Sequence, residues 1–195
     1  MIRFVKMDFC GNTAELIKIL GECKSLSPVI NTIGYEILSV LKNGGKILTC
    51  GNGGSAADAL HMSEEFVGRY CFERNSLPAI CLCADPTLLT CILNDYGADA
   101  IFSRQVESLG NSGDLLFGFT TSGNSRNIAE AFSAAKNNGL KTILVSGKGG
   151  GMLKGAADYE LIVPSNCTAR IQEVHTLFLH SWLEMVDEFF AVSEK

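Results

Sequence analysis

The stretch Lys46-Ile47-Leu48-Thr49-Cys50-Gly51-Asn52-Gly53-Gly54-Ser55-Ala56-Ala57-Asp58 decides the fold. The short apolar run at 46–50 reads as a strand buried on both faces. Three glycines within 51–54 then turn the chain, and a helix is predicted from near Ser55 to about Tyr70. The same unit recurs downstream. Ala79-Ile80-Cys81-Leu82, Asp114-Leu115-Leu116-Phe117-Gly118-Phe119, Thr142-Ile143-Leu144-Val145 and Tyr159-Glu160-Leu161-Ile162-Val163 read as four further strands, the last closed by Pro164. Helices are expected after Pro86, near 98–108, over 126–137 and from 168 to about 191. Short strands alternating with helices are βαβ units, so the predicted class is α/β. The architecture is a doubly wound, five-stranded parallel sheet flanked by helices, with ligands at the carboxyl ends of the strands.

Upstream, residues 13–43 are predicted to form an N-terminal helical segment that breaks near Ser27-Pro28. Val29, Ile33, Ile37, Leu38 and Leu41 recur at helical spacing, and Asn43-Gly44-Gly45 stops the run. No repeat or low-complexity tract interrupts the chain, so residues 1–195 read as one domain.

Composition narrows the function classes. Hydrophobic residues make up 47% of the chain and charged residues 19%, the balance of a folded globular protein. Sixteen basic against twenty-one acidic residues give a formal net charge of −5, which argues against a broad nucleic-acid surface. An anionic ligand would therefore need local donors. No apolar run reaches 18 residues, so no membrane-spanning helix and no membrane partner are expected. The opening Met1-Ile2-Arg3-Phe4-Val5-Lys6-Met7-Asp8 lacks the apolar core of a signal peptide. Eight cysteines without a C-x-x-C read as reduced, mostly buried thiols, and the expected compartment is the cytoplasm.

Three constellations suggest chemistry. The first is the glycine turn Gly51-Asn52-Gly53-Gly54-Ser55. There the backbone can approach a ligand closely, with the free N–H groups of a helix start facing it. Gly51, Gly53 and Ala56 match a dinucleotide fingerprint only imperfectly, and a plain tight turn is the simpler alternative. The second is Thr120-Thr121-Ser122-Gly123-Asn124-Ser125, with four hydroxyls at another strand-to-helix turn. Hydroxyl and backbone donors there suit a phosphate monoester without a lysine. Helix capping would need only one of them. The third pairs His61 with Glu65, four apart on one helix, and Gln172 with His180. The latter are eight apart, or about 80° around a helix. Two imidazoles, a carboxylate and an amide oxygen could hold zinc or serve as acid and base, although a lone helical histidine is more often simply packed. Arg170, Glu173 and His175 read as a salt-bridged or capping set, and Asp58 as a favourable charge on a helix dipole.

Four blocks in this order resemble the phosphoheptose isomerases. The first runs from Cys50 to Ala59, with His61 and Glu64-Glu65-Phe66-Val67-Gly68-Arg69-Tyr70. Asn94-Asp95-Tyr96-Gly97 follows, with Phe102-Ser103-Arg104-Gln105-Val106-Glu107. The third is Thr121-Ser122-Gly123-Asn124-Ser125, and the fourth is Thr168-Ala169-Arg170-Ile171-Gln172-Glu173-Val174-His175, with His180 downstream. The likeness covers about residues 28–188. The third block alone would indicate only the wider sugar-isomerase (SIS) domain superfamily, whose fold is a flavodoxin-like sandwich.

The resemblance implies an enzyme that converts D-sedoheptulose 7-phosphate to D-glycero-D-manno-heptose 7-phosphate through an enediol, the first step of nucleotide-activated heptose biosynthesis. It implies a homotetramer with interfacial active sites and one zinc ion in each. Carried over by position, Asn52, Gly53, Gly54, Ser55, Asn94, Asp95 and Gln172 would touch substrate. Thr120, Thr121, Ser122 and Ser125 would hold its phosphate. His61, Glu65, Gln172 and His180 would form the metal set, with Glu65 as base and His180 as acid. One departure is Phe119-Thr120-Thr121, where relatives commonly read Ile-Ser-Thr. The alternative is a non-catalytic SIS-domain tetramer that binds the replication initiator or senses a sugar phosphate. Such a scaffold has no use for Glu65 and His180, so their presence favours the enzyme. Mean hydropathy of +0.20 and apolar-rich terminal helices, with the run Leu177, Phe178, Leu179, Trp182, Leu183 and Met185, point to the N-terminal helices and the last helix as subunit interfaces.

Overall fold

The protein is described by a computed structural model over residues 8–191. The signal-peptide expectation rests on residues 1–7, outside the described residues. Helices α1 (Phe9–Cys23) and α2 (Ser27–Lys42) are joined by one 3₁₀ turn, Lys24–Leu26, so the break falls just before Ser27-Pro28, which open α2. The first helix starts at Phe9 rather than at 13. The Asp8 carboxylate accepts the Gly11 N–H at 2.9 Å, and this cap outweighs the poor helix propensity of Gly11 and Asn12.

Strands β1 (Ile47–Gly51), β2 (Ala79–Cys81), β3 (Leu115–Thr120), β4 (Lys141–Ser146) and β5 (Tyr159–Ile162) pair in parallel in the order β2-β1-β3-β4-β5. This is the predicted doubly wound sheet. The connecting helices are α3 (Gly54–Val67), α4 (Pro86–Tyr96), α5 (Ser103–Leu109) and α6 (Arg126–Asn137), and α7 (Thr168–Phe190) closes the chain. The 3₁₀ stretch Lys148–Leu153 was not predicted. Its Lys-Gly-Gly-Gly sequence carries no apolar period, and positive φ angles at three glycines bend it.

Every residue of β1 and β3 is buried, which is why these strands read as unbroken apolar runs. Ile47, Leu115, Phe117, Phe119, Ile143 and Val145 face a layer built on α1, α2, α3 and α7. Leu48, Cys50, Leu116 and Leu144 face Phe102, Val106, Ile128 and Phe132 on the opposite side.

The last helix corrects one expectation. Phe178, Leu179, Trp182 and Leu183 lie in the chain's own core, not on an interface. α7 packs against both α2 and α3, so most of its circumference is covered, and the Trp182 indole donates to the Ile30 carbonyl at 3.0 Å. The large apolar side chains left exposed on this layer include Phe9, Ile17, Tyr35, Leu60, Val67, Leu177 and Phe189. All eight cysteines are free, but only Cys23, Cys50 and Cys81 are buried. No helix among the described residues is long and apolar enough to cross a membrane.

Candidate active site

The sheet order reverses at β1, so the loops after β1 and β3 flank a crevice at the carboxyl ends of the strands. A cavity of about 290 Å³ opens there. Asn52, Gly54 and Ser55 line it from the first loop, and Thr120, Thr121, Ser122 and Ser125 from the second. Thr168 and Gln172 of α7 complete the wall with Phe119. Gly53 shapes the first loop with φ +58°, a conformation that favours glycine. A Cβ on Gly54 would collide with the Gln172 amide, so glycine is what lets α3 and α7 close on each other.

The hydroxyls do not act as helix caps. The Ser125 side chain makes no capping bond to α6, and its Oγ lies 3.1 Å from Thr120 Oγ1 instead. Among the described residues, the N-cap positions of α3, α6 and α7 all lack a side-chain cap. Residues at the start of all three helices line the cavity, so their positive dipole ends face it, with first-turn amides at α6 and α7 unpaired among the described residues; at α3 the Ser55 and Ala56 amides bond back to the Asn52 and Gly53 carbonyls. The Asn52 and Asn127 amides exchange hydrogen bonds of 2.9 and 3.0 Å and tie the first loop to α6. Asn124 Oδ1 accepts the Met152 N–H at 3.0 Å, buttressing the second loop with the 3₁₀ stretch.

Helices α3 and α7 run side by side in the same direction. Gly54 meets Gln172, Asp58 accepts from the Thr176 hydroxyl at 3.3 Å, and the His61 and His180 rings stand edge to face at 5.1 Å. Beside that ring pair, His61 Nε2 lies 3.5 Å from Glu65 Oε1. Tyr70 stacks on His180 with centroids 5.4 Å apart. Burial first, then the nearby Cys71, Glu184, Glu65 and Asp187, push the Tyr70 phenol up from its ordinary value. His61, Glu64 and Glu65 also form a group whose ligand atoms all lie within 4.8 Å of one another. Imidazole and carboxylate donors at this spacing fit a zinc ion. Gln172 stands eight residues before His180, about 12 Å of helix rise, on the cavity side of the seam.

Two expected substrate residues lie apart from the cavity. Asn94 and Asp95 sit exposed near the end of α4, where Asn94 Nδ2 donates to Asp95 Oδ1 at 2.7 Å. Asp95 borders a separate cavity of about 380 Å³ with Tyr96 and Arg104, whose guanidinium stacks over the Tyr96 ring at 4.0 Å. His175 is fully buried behind the site, with Nε2 3.2 Å from the Ser146 carbonyl and Nδ1 3.8 Å from Asp58 Oδ2. Asp58 is thus part of the buried seam rather than a free charge at a helix start. Arg170 bonds Glu173 at 2.6 Å and the Asn12 carbonyl at 3.0 Å, the structural set read from sequence.

The SIS domain family model matches residues 11–147. Phosphoheptose isomerase from Aliarcobacter butzleri (strain RM4018) is 53% identical over 182 residues, covering 90% of this chain and 96% of its own. The Campylobacter jejuni enzyme of the same name (subsp. jejuni serotype O:6, strain 81116 / NCTC 11828) is 50% identical over 173 residues, covering 89% and 93%. The chain belongs to the phosphoheptose isomerase family. A solved phosphoheptose isomerase from Neisseria gonorrhoeae superposes on this family member with a TM-score of 0.87 at 41% identity, covering 92% of this chain and 96% of its own. One from Francisella tularensis gives 0.88 at 38% identity, covering 91% and 95%. The family's sheet and helix order are therefore those described above.

The sequence reading did not single out Thr168, Phe119, Glu64 or Tyr70 as site residues. Thr168, Glu64 and Tyr70 lie inside the motif blocks quoted above, and that adjacency was the available signal. Phe119 reads as an ordinary strand residue. Its place on the cavity wall follows only from the turn after β3.

Proposed function

We infer that this protein is an aldose–ketose isomerase that converts D-sedoheptulose 7-phosphate to D-glycero-D-manno-heptose 7-phosphate, opening nucleotide-activated heptose biosynthesis. The observation that carries the reading is the shared seam. A donor-lined cavity at three helix starts and the His61, Glu65 and His180 group lie about two turns apart along the same pair of helices.

In this reading Thr120, Thr121, Ser122 and Ser125, with the open amides behind them, hold the phosphate. Asn52, Gly53, Gly54, Ser55 and Gln172 contact the sugar. Glu65 takes a proton from C1 of the ketose and returns it to C2. His180 moves a proton between the two oxygens as the enediol forms and collapses, and proton steps of this kind are each typically worth 10²–10⁴-fold. His61, Glu65, Gln172 and His180, with Glu64 adjoining, would hold zinc. Zinc bound there would supply Lewis-acid polarisation of the carbonyl oxygen.

The wider assembly belongs to the same proposal. The whole chain acts as one domain of a cytoplasmic homotetramer. Phe9, Ile17, Tyr35, Leu177 and Phe189 supply apolar contact between subunits, and Asn94 and Asp95 complete a neighbour's site. Sedimentation equilibrium at micromolar concentration should give four chains, and a stable monomer removes the interfacial site. Elemental mass spectrometry should give one zinc per chain. The activity test is incubation of the pure protein with D-sedoheptulose 7-phosphate, followed by detection of the aldose 7-phosphate. Binding without turnover would point to a sensor or scaffold instead.

A further inference from the structure

The proposed base sits close to the end of its own helix. α3 ends at Val67, so Glu65 lies in the last turn, where an α-helix leaves its final carbonyls without partners. That turn is not left to fray. Arg74, from the loop that follows, sends Nη2 to the Glu65 carbonyl at 2.6 Å and Nη1 to the Phe66 carbonyl at 2.9 Å. Nη1 also reaches the carbonyls of Gly68 and Asn75 at 3.5 and 3.2 Å. A side chain thus stands in for the missing next turn of helix.

Arg74 is anchored in turn from the other helix. Its Nε donates to Asp187 Oδ1 at 2.6 Å, and both side chains are wholly buried. Asp187 Oδ2 accepts the backbone N–H of Cys71 at 2.5 Å and of Phe72 at 2.8 Å, which fixes the segment directly after Tyr70. Asp187 is seven residues beyond His180 on α7, within about 20° of the same helical face. One ion pair therefore joins the turn that carries Glu65, the ring stacked on His180 and the helix that carries His180.

We propose that Arg74 and Asp187 are positioning residues for catalysis: their buried ion pair sets the place of Glu65 relative to His180. The proposal rests on the assignment of Glu65 and His180 as base and acid. A buried ion pair adds little net stability over well-packed apolar side chains, so stability alone gives little reason for one here. The fork geometry matters, because five guanidinium donors in one plane can serve several carbonyls and a carboxylate together, which an ammonium cannot. Neither residue touches the cavity or the imidazoles, so neither acts on substrate directly.

The test uses the full-length protein and compares Arg74→Lys, Asp187→Asn and Glu65→Gln by steady-state kinetics with thermal melting alongside. Misplacing a reacting group by a fraction of an ångström to 1 Å lowers turnover without touching phosphate binding. Both positioning variants should therefore lose about ten- to a hundredfold in kcat with KM unchanged. Folded variants with a lowered melting temperature but wild-type kcat overturn the proposal and leave the pair a structural bond. Glu65→Gln separates the two readings: if it keeps wild-type kcat, the base assignment itself has failed. Should both positioning variants fail to fold, hydrogen exchange on the wild-type protein decides. The amides of Gly68, Cys71 and Phe72 should exchange as slowly as the core of α7, and exchange at open-loop rates means that the clamp is not formed.

Discussion

At its N-terminal end α3 has no side-chain cap at Gly53: the Ser55 and Ala56 amides bond back to the Asn52 and Gly53 carbonyls of the turn, and the Gly54 amide has no protein partner among the described residues. At its C-terminal end the carbonyls of Glu64, Glu65 and Phe66 are all taken, by Gly68 N–H, by Arg74 and, for Phe66, also by Leu77 N–H. A helix has unsatisfied backbone groups at both ends. Here the first end is closed only by its own backbone turn and keeps the Gly54 amide toward the cavity, whereas the second is closed by a buried side chain. The difference fits the division of labour along the seam: an anion can complete its own coordination on arrival, whereas an acid–base pair must be in place beforehand.

The sharpest way to break this comparison is at the chemical end. Glu65→Gln preserves size and removes the proposed base, so kcat should fall by about two to four orders of magnitude while the melting curve survives. His180→Gln should behave alike. At the binding end, Ser122→Ala and Ser125→Ala each remove a donor to a dianion, costing about 1.5–3 kcal/mol, roughly ten- to a hundredfold in KM. Calorimetry showing wild-type affinity for the 7-phosphate in both variants would move the phosphate out of this cavity.

A smaller effect separates the two ends by pH. Burial pushes the Asp187 carboxyl up, but the Phe72 N–H, the Arg74 side chain and the Cys71 N–H outweigh it and hold the group below its ordinary value. A carboxyl depressed in the folded state contributes stability that is complete above its unfolded value of about 3.9 and is lost as pH falls through the folded one. Denaturant titrations in that acid range should show a shallower loss for Asp187→Asn than for the wild type. His175→Gln should give the smallest change in turnover and keep most of its kcat, because His175 contacts the Ser146 carbonyl and Asp58 behind the site rather than the cavity. A large drop in kcat there would extend the chemical end inward.

The legible elements were those whose signal is local. The helix Arg126–Asn137 lies at its predicted bounds, because a polar turn starts it and Asn137-Asn138-Gly139 ends it. The strands were found within a residue or so, most plainly β1 and β3, where burial on both faces writes an unbroken apolar run. The end of α3 was misplaced by about a turn: Gly68 directly after Val67 is the stop signal that was passed over, and a buried arginine in the next loop takes the last carbonyls. Thr120 to Ser125 were legible as a cavity lining because hydroxyls cluster visibly. Gln172 and His180 share a helix, and eight residues of rise between them place Gln172 on the cavity wall and His180 beside His61.

The sequence by itself determined the class of fold, the order of its elements, the two loops at the switch point and the residue types of the site. Each of these depends on neighbours within a few residues or on motifs that survive as short blocks. Only the tertiary structure decided which apolar face of α7 is core, that Asn94 and Asp95 lie outside the cavity, and that Arg74 meets Asp187 across 113 positions of chain. These outcomes depend on which helices become parallel neighbours on the sheet, and a linear spacing carries no record of that.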